Sequence, residues 1–272
     1  MTEYTFPQFI YFDTNIMSHF VKNEQMWPKL FGYLRESELT MGVGGGQVSE
    51  LADAKSLLTD LARFLISVPT GIIKNLDELI AEEVISHPSK RSDTLLMYPL
   101  NAILSEEDGY ANLLQFLNSK DLADARKDQL SHTKLMGARH AKLKSNFPPS
   151  KSGKYERSQV EDFGQAQVIQ WLSFDHRDFL ETMQKDIDLF HPEVFLSIRL
   201  YAYVIFYKYY LGQREPRKLS DFGDLFHLFA LPYCDIAVME RDLSNVRGQI
   251  KRNHDVLEST EIFDIDFLER FC

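Results

Sequence analysis

The apolar positions of the chain follow two kinds of pattern. Short unbroken runs alternate with segments of helical period up to about residue 87, helical period prevails to about residue 217, and the runs then return. The first run is Phe9-Ile10-Tyr11-Phe12, which ends abruptly in Asp13-Thr14-Asn15. A short run rich in β-formers predicts a strand buried on both faces, and such strands belong to parallel sheets covered by helices. Residues 16–21 and 27–35 follow with helical spacing, and residues 39–43 predict a second strand. Gly44-Gly45-Gly46 predicts a tight strand-to-helix turn, after which Gln47-Val48-Ser49-Glu50-Leu51 opens a helix. Residues 64–68, broken by Pro69, read as a third strand with Ile72-Ile73 as its continuation. Residues 75–86 predict an acidic amphipathic helix, with Asp77, Glu78, Glu82 and Glu83 on its solvated face.

Between residues 88 and 217 strand signals nearly vanish, and residues 104–117, 121–143, 158–174 and 179–190 predict helices. Residues 193–211 are strongly apolar and aromatic, but Arg199 and Lys208 interrupt them. The interruption predicts a buried helix joining this block to the core rather than a membrane span. Residues 220–230 read as a helix with an acidic start. Ile236-Ala237-Val238-Met239 reads as another buried strand, followed by Glu240-Arg241-Asp242. Residues 246–253 predict a helix, 262–265 a last strand and 267–271 a terminal helical turn. The expected fold is α/β, a central parallel sheet flanked by helices. Its core spans residues 1–87 and 218–272, and residues 88–217 form a large all-helical insertion between the third and fourth strands.

With 272 residues, 44% hydrophobic and 26% charged, the chain has the composition of an ordinary soluble globular protein. A net charge of −10 excludes a general positive coat for nucleic acid and directs attention to local patches. Residues 134–157 form one: Lys134, Arg139, Lys142, Lys144, Lys151, Lys154 and Arg157 stand against Glu156 alone. Such a stretch is either a grip for a phosphate backbone or a solvated basic loop. Its Phe147-Pro148-Pro149-Ser150-Lys151-Ser152-Gly153 segment predicts a loop that orders on binding. Cys234 and Cys272 have neither metal spacing nor the density of a disulfide scaffold, which points to a reducing cytoplasm. The first residues lack a basic region and a long apolar segment, so no signal peptide is expected.

In open parallel sheets, ligands bind outside the carboxyl ends of the strands. Asp13 falls at such an end, as do Glu240 and Asp242, while Glu50, Asp221 and Asp224 fall near helix starts. Taken singly, Asp13 reads equally as a helix N-cap and Glu50 as a complement to a helix dipole. Carboxylates gathered at one edge repel one another unless a cation neutralises them, and all-oxygen ligand sets suit Mg²⁺ or Mn²⁺. Such ions activate water and stabilise in-line attack on a phosphodiester. Asp235 precedes its strand, which puts it at the opposite edge and makes it structural. His227 reads as a packed histidine. The three glycines are not followed by Gly-Lys-Ser or Gly-Lys-Thr, so they are not a P-loop.

Phe12-Asp13-Thr14-Asn15, Val48-Ser49-Glu50-Leu51 and Asp224-Leu225-Phe226-His227-Leu228 resemble, in that order, three elements of the PIN-domain nucleases. The segment from Asp221 to Asp242 is similar to bacterial members in particular. The resemblance covers roughly residues 8–86 and 218–270. It implies a Mg²⁺- or Mn²⁺-dependent endoribonuclease with Asp13, Glu50, Asp224 and Asp242 as catalytic, metal-holding carboxylates. Glu240 is the alternative fourth carboxylate, and Asp221 stands behind the ligands. Asn15, Lys142, Lys144, Lys151 and Lys154 are the candidate substrate contacts. RNA is the implied partner, with DNA not separated from it, and the setting is a toxin–antitoxin pair, phage defence or RNA processing. A toxin setting implies an inhibitory protein partner. The competing reading is a nuclease-like fold that does not cut and serves as an RNA-binding or protein-interaction module. A phosphatase working through a phosphoryl-enzyme would want Asp-x-Asp after the first strand, and Asp13-Thr14-Asn15 lacks the second Asp.

Overall fold

Gln8–Phe12 forms β1, the strand on which the rest of the sheet is ordered. A computed structural model of the chain describes residues 8–85, 96–99, 109–124, 127, 131, 133–135, 137, 140, 147–185, 191–212, 225 and 228–272. After β1 come α1 (Thr14–Lys22), α2 (Trp27–Glu36), β2 (Leu39–Gly44), α3 (Gly45–Asp53), α4 (Leu58–Ser67), β3 (Thr70–Ile73) and α5 (Leu76–Ile85). A short strand β4 (Leu96–Pro99) precedes α6 (Gly109–Leu117), α7 (Val160–Asp175), α8 (Arg177–Lys185) and α9 (Leu196–Ile205). The chain ends with β5 (Ile236–Val238), α10 (Arg241–Asn253), β6 (Glu261–Phe263) and a 3₁₀ segment, Ile265–Phe271.

The sheet order is β4-β3-β2-β1-β5-β6. Strands β3, β2, β1, β5 and β6 are parallel, and β4 lies antiparallel on β3 at the edge. The alternation of side chains along β1 separates two cores. Ile10 and Phe12 pack with α1, α2, α3 and α4; Phe9 and Tyr11 pack with α5, α7, α9 and α10. The chain steps from β1 to β2 to β3 in one direction and returns with β5 on the other side of β1. The order therefore reverses between β1 and β5, the position where open α/β sheets leave a crevice at their carboxyl ends.

Three expectations change. Residues 64–68 are not a strand: they end α4, whose buried Leu58, Leu61, Ala62, Phe64 and Leu65 recur at helical spacing. Strand β3 follows Pro69. Short apolar runs carry no period of their own, which is why a helix end was taken for a strand. The block from 88 to 217 is not all-helical, because β4 lies within it. Glu83 is not on a solvated face. It is only 5% exposed, and its Oε1 accepts from Ser197 N at 2.7 Å and Tyr233 Oη at 2.5 Å, tying α5 to α9.

Every residue of α9 is buried, as an all-round apolar helix requires, and it sits in the same core as Tyr11 of the sheet. A π-helical turn, Phe206–Leu211, continues it to Gly212. A Cβ at Gly212 would lie 2.6 Å from the Lys208 carbonyl oxygen, so glycine alone fits there. Among the described residues, no helix is long and apolar enough to cross a membrane.

Candidate functional site

Asp13 is the N-cap of α1. Its Oδ1 accepts from the backbone N–H of Asn15 at 2.8 Å and of Ile16 at 3.2 Å. Its Oδ2 accepts from the backbone N–H of Glu240 at 3.1 Å, across the β1–β5 crevice. The Asn15 amide Nδ2 donates to Glu240 Oε1 at 2.5 Å. Capping and clustering therefore coincide: the carboxylate that starts α1 also fixes the chain as it leaves β5. The backbone supports this arrangement, since Asp13 N donates to Val238 O at 2.9 Å.

The third strand end is tied in by a residue that the sequence pattern did not single out. Gln47, fully buried, donates through Nε2 to Phe12 O at 2.6 Å and accepts through Oε1 from Gly44 N at 3.0 Å. It thus clamps the end of β1 to the turn between β2 and α3. A glutamine three residues past a helix N-cap was the available signal, because that side chain reaches back to the cap N–H. Gly42 belongs to the same close packing, as a Cβ there would meet Ile73 Cγ2 at 3.2 Å. Glu50 lies in the second turn of α3 and is exposed. The helix-dipole reading of Glu50 therefore fails, since that effect fades beyond the first turn.

Behind this edge the interior is polar. Tyr11 is buried, and its hydroxyl has no hydrogen-bond partner among the described residues. Burial pushes the Tyr11 phenol well above its ordinary value, and the charges of Asp13 and Glu50 add to the rise while Arg247 opposes it. Asp13 and Glu50 thus both act on one buried hydroxyl. Arg247 comes from α10 and is 1% exposed, with Nε and Nη1 unpartnered among the described residues. Burial lowers its guanidinium to about 9, against the opposing pull of Tyr11 and Asp13. The signal for Arg247 was a charged residue on an apolar helix face, with Leu243, Val246 and Ile250 at helical spacing around it.

Of the two candidates for the fourth carboxylate, Glu240 is bonded into the Asp13–Asn15 cluster. Asp242 lies exposed in the first turn of α10, two residues beyond the Glu240 N-cap. Arg241 between them turns away, to Asp266 Oδ1 at 2.5 Å and Asp264 Oδ2 at 3.6 Å. Asp221, Asp224, His227, Lys142 and Lys144 lie outside the described residues. Among the described residues, no group of three His, Cys, Asp or Glu side chains is arranged to hold a metal ion. The donors that do meet are carboxylate oxygens suited to a hard cation. Asp13 spends three of about four acceptor sites on backbone N–H groups, and Glu240 Oε2 is without a partner among the described residues.

Asp235 lies at the opposite edge, as expected, where its Oδ2 accepts from Phe9 N at 2.7 Å. Lys151 and Lys154 are exposed on a turn that is tied internally rather than loose. Ser150 N donates to Lys154 O at 3.0 Å, Tyr155 Oη to Phe147 O at 3.0 Å, and Gln159 Nε2 to Pro148 O at 3.1 Å. The Ser150 and Ser152 hydroxyls both bond Glu156 Oε1 and hold that carboxyl below its usual range. Gly153 takes φ +76°, the left-handed conformation the turn needs.

Comparison with protein-family models, with curated proteins and with solved structures found no match to this chain.

Proposed function

We propose that the chain is a PIN-like, metal-dependent phosphodiesterase acting as an endoribonuclease at the β1–β5 crevice. The observation that carries the proposal is the junction of Asp13 and Glu240. Two acidic residues leave adjacent parallel strands at their carboxyl ends and are locked together through Asn15 and a backbone N–H. Glu50 follows the third adjacent strand end and acts on the same buried hydroxyl as Asp13. Asp224 and Asp242 are the remaining carboxylates that the PIN-domain resemblance implies.

Mg²⁺ or Mn²⁺ held by these oxygens would supply Lewis-acid stabilisation of the charge that develops on the attacked phosphate. The protein groups do the rest. Asp13 and Glu240 present oxygens to the cation, Asn15 orients Glu240, and Gln47 keeps the β1 and β2 ends in register. RNA is the proposed substrate on the strength of the resemblance, with Lys142, Lys144, Lys151 and Lys154 offsetting the repulsion of an acidic protein for a polyanion.

One observation favours a second reading, in which the fold binds RNA or a protein and does not cut. Three backbone N–H groups already occupy Asp13, two of them from the helix it caps and one from Glu240, so the carboxylate is accounted for structurally. Incubating the protein with labelled single-stranded RNA and DNA, in Mn²⁺ or in EDTA, separates the two. Mn²⁺-dependent RNA cleavage that is lost in Asp13→Asn and Glu240→Gln supports the nuclease. RNA binding without cleavage by the wild type supports the module.

A further inference from the structure

A buried guanidinium with two unpaired nitrogens is costly, because charges taken from water need both a counter-charge and hydrogen bonds. Native proteins leave few such groups, and each has a cause. Arg247 is one. It lies on the face of α10 that carries Leu243, Val246 and Ile250 into the core beneath β1. From the strand side, that core receives the ring of Tyr11, whose hydroxyl is also without a partner among the described residues. Tyr11 stands two residues before Asp13, and α10 begins at Glu240, the residue whose N–H Asp13 holds. Arg247 is therefore suspended behind the acidic edge by the same two elements that build it. The nearer cation in sequence, Arg241, is engaged with Asp264 and Asp266 and does not serve that edge.

We infer that Arg247 is a positioning residue, the internal counter-charge of the junction of Asp13 with Glu240, which offsets the meeting of these two acidic residues while no cation is bound. It is buried behind the Asp13–Glu240 junction, where substrate does not reach. The inference rests on the proposed reading of this edge as a cation site, and it gives that site a regulator: the guanidinium holds the edge together without metal and limits how tightly metal binds.

The test is a double-mutant cycle read by melting temperature, first in EDTA and then in saturating Mn²⁺. The sign of Arg247→Met alone is not diagnostic, since replacing a buried ion by an apolar side chain stabilises some proteins. The coupling is diagnostic. In EDTA, Arg247→Met should lower the melting temperature by about 3 °C or more beyond its effect in the Asp13→Asn background, whereas independent sites give equal shifts. Arg247→Lys should keep the coupling that Arg247→Met removes. In Mn²⁺, the Arg247→Met protein should gain more stability than the wild type. Equal effects of Arg247→Met in the two backgrounds overturn the inference. If Arg247→Met does not fold, Arg247→Gln and Arg247→Lys are compared in the same two backgrounds with the same readings. A wild type that Mn²⁺ does not shift removes the nuclease reading, while the cycle in EDTA still decides the role of Arg247.

Discussion

Among the described residues, two arginines are buried in one core and are treated in opposite ways. Arg199, 7% exposed on α9, is satisfied at every nitrogen. Its Nε donates to Tyr203 Oη at 3.1 Å, Nη1 to Glu193 O at 3.0 Å and Nη2 to Asp255 Oδ1 at 3.0 Å, with Glu161 Oε2 at 3.5 Å. Burial alone would lower its guanidinium, but Tyr203, Asp255 and Glu161 together raise it. Arg247, more deeply buried, is lowered and lacks partners at two nitrogens among the described residues. The first arrangement joins helices: α7, α9 and the segment after α10 meet at Arg199. The second lies in the core behind the junction of Asp13 and Glu240. A saturated buried charge is a device of assembly. An unsaturated one beside an acidic edge is, on the reading proposed above, a place where an arriving cation changes the charge balance.

The comparison breaks most sharply on activity. Asp13→Asn should reduce Mn²⁺-dependent RNA cleavage by more than the roughly 10–100-fold typical of residues that merely support metal ligands. Arg199→Met should leave the cleavage rate of the folded protein within about threefold, as expected of a residue remote from the chemistry. A gel assay at one temperature, well below both melting points, reads both. Equal losses would mean that the two arginine regions are not functionally distinct. Because asparagine also caps helices well, Asp13→Asn keeps the bonds to α1 while removing the negative charge and the acceptor facing Glu240 N–H.

Stability should divide the regions the other way. Arg199→Met severs three hydrogen bonds and should cost about 3 kcal/mol, measured by urea unfolding. At the acidic edge the comparable loss is at Gln47 rather than at a charge. Gln47→Leu leaves the Phe12 carbonyl and the Gly44 N–H buried and unpaired, which should cost about 2 kcal/mol. A negligible effect of Gln47→Leu would show that water reaches those groups and that the clamp between β1 and β2 is not needed.

What the sequence disclosed of this follows from the range of each interaction. β1 and β5 were legible because four consecutive apolar residues end in an acidic residue, whereas β2 and β6 showed only shorter apolar stretches beside turn or polar residues. The Asp13 cap was legible because it closes within three residues. The meeting of Asp13 with Glu240 spans 227 residues, and only the assumption of parallel strands brought the two to one edge. The burial of Glu83 was hidden for the same reason: its partner Ser197 is 114 residues away, and a helix pattern alone assigns a glutamate to water. Arg247 had no local signature beyond its misfit with an apolar face. Whether such a misfit marks packing or charge is decided by what lies opposite, and a linear pattern does not contain that.

A smaller effect sharpens the contrast through pH. Burial alone would raise the Glu161 carboxyl, but hydrogen bonds from Tyr203 and His254 and the charge of Arg199 outweigh it and bring it below 4.5. A folded-state value lower than the unfolded one contributes stability that is complete above 4.5 and lost as pH falls through the folded value. Glu161→Gln should therefore be less stable than the wild type at neutral pH, with the gap closing on acidification below 4.5. Urea midpoints across that range check it. A gap that persists at the acid end would mean that Glu161 acts by packing instead of by charge.

The smallest expected effect lies at the basic turn. The turn bearing Lys151 and Lys154 is held by Ser150, Tyr155 and Gln159, so its two lysines are presented on an ordered support rather than on a segment that must fold around a ligand. A preformed cationic support loses little entropy on meeting a phosphate backbone. Its contribution should then appear in the salt dependence of binding, at roughly 0.7 of slope per phosphate contact for a single strand. Replacing Lys151 and Lys154 with Ala should flatten the slope by up to about 1.4, and adding Lys142→Ala and Lys144→Ala should flatten it further. Mn²⁺ binding at the acidic edge should be unchanged in every one of these proteins, because the lysines neutralise flanking phosphates and not the carboxylates. RNA affinity measured at several salt concentrations gives the slopes. Slopes identical to the wild type would place the RNA on another face and leave the basic turn to a protein partner.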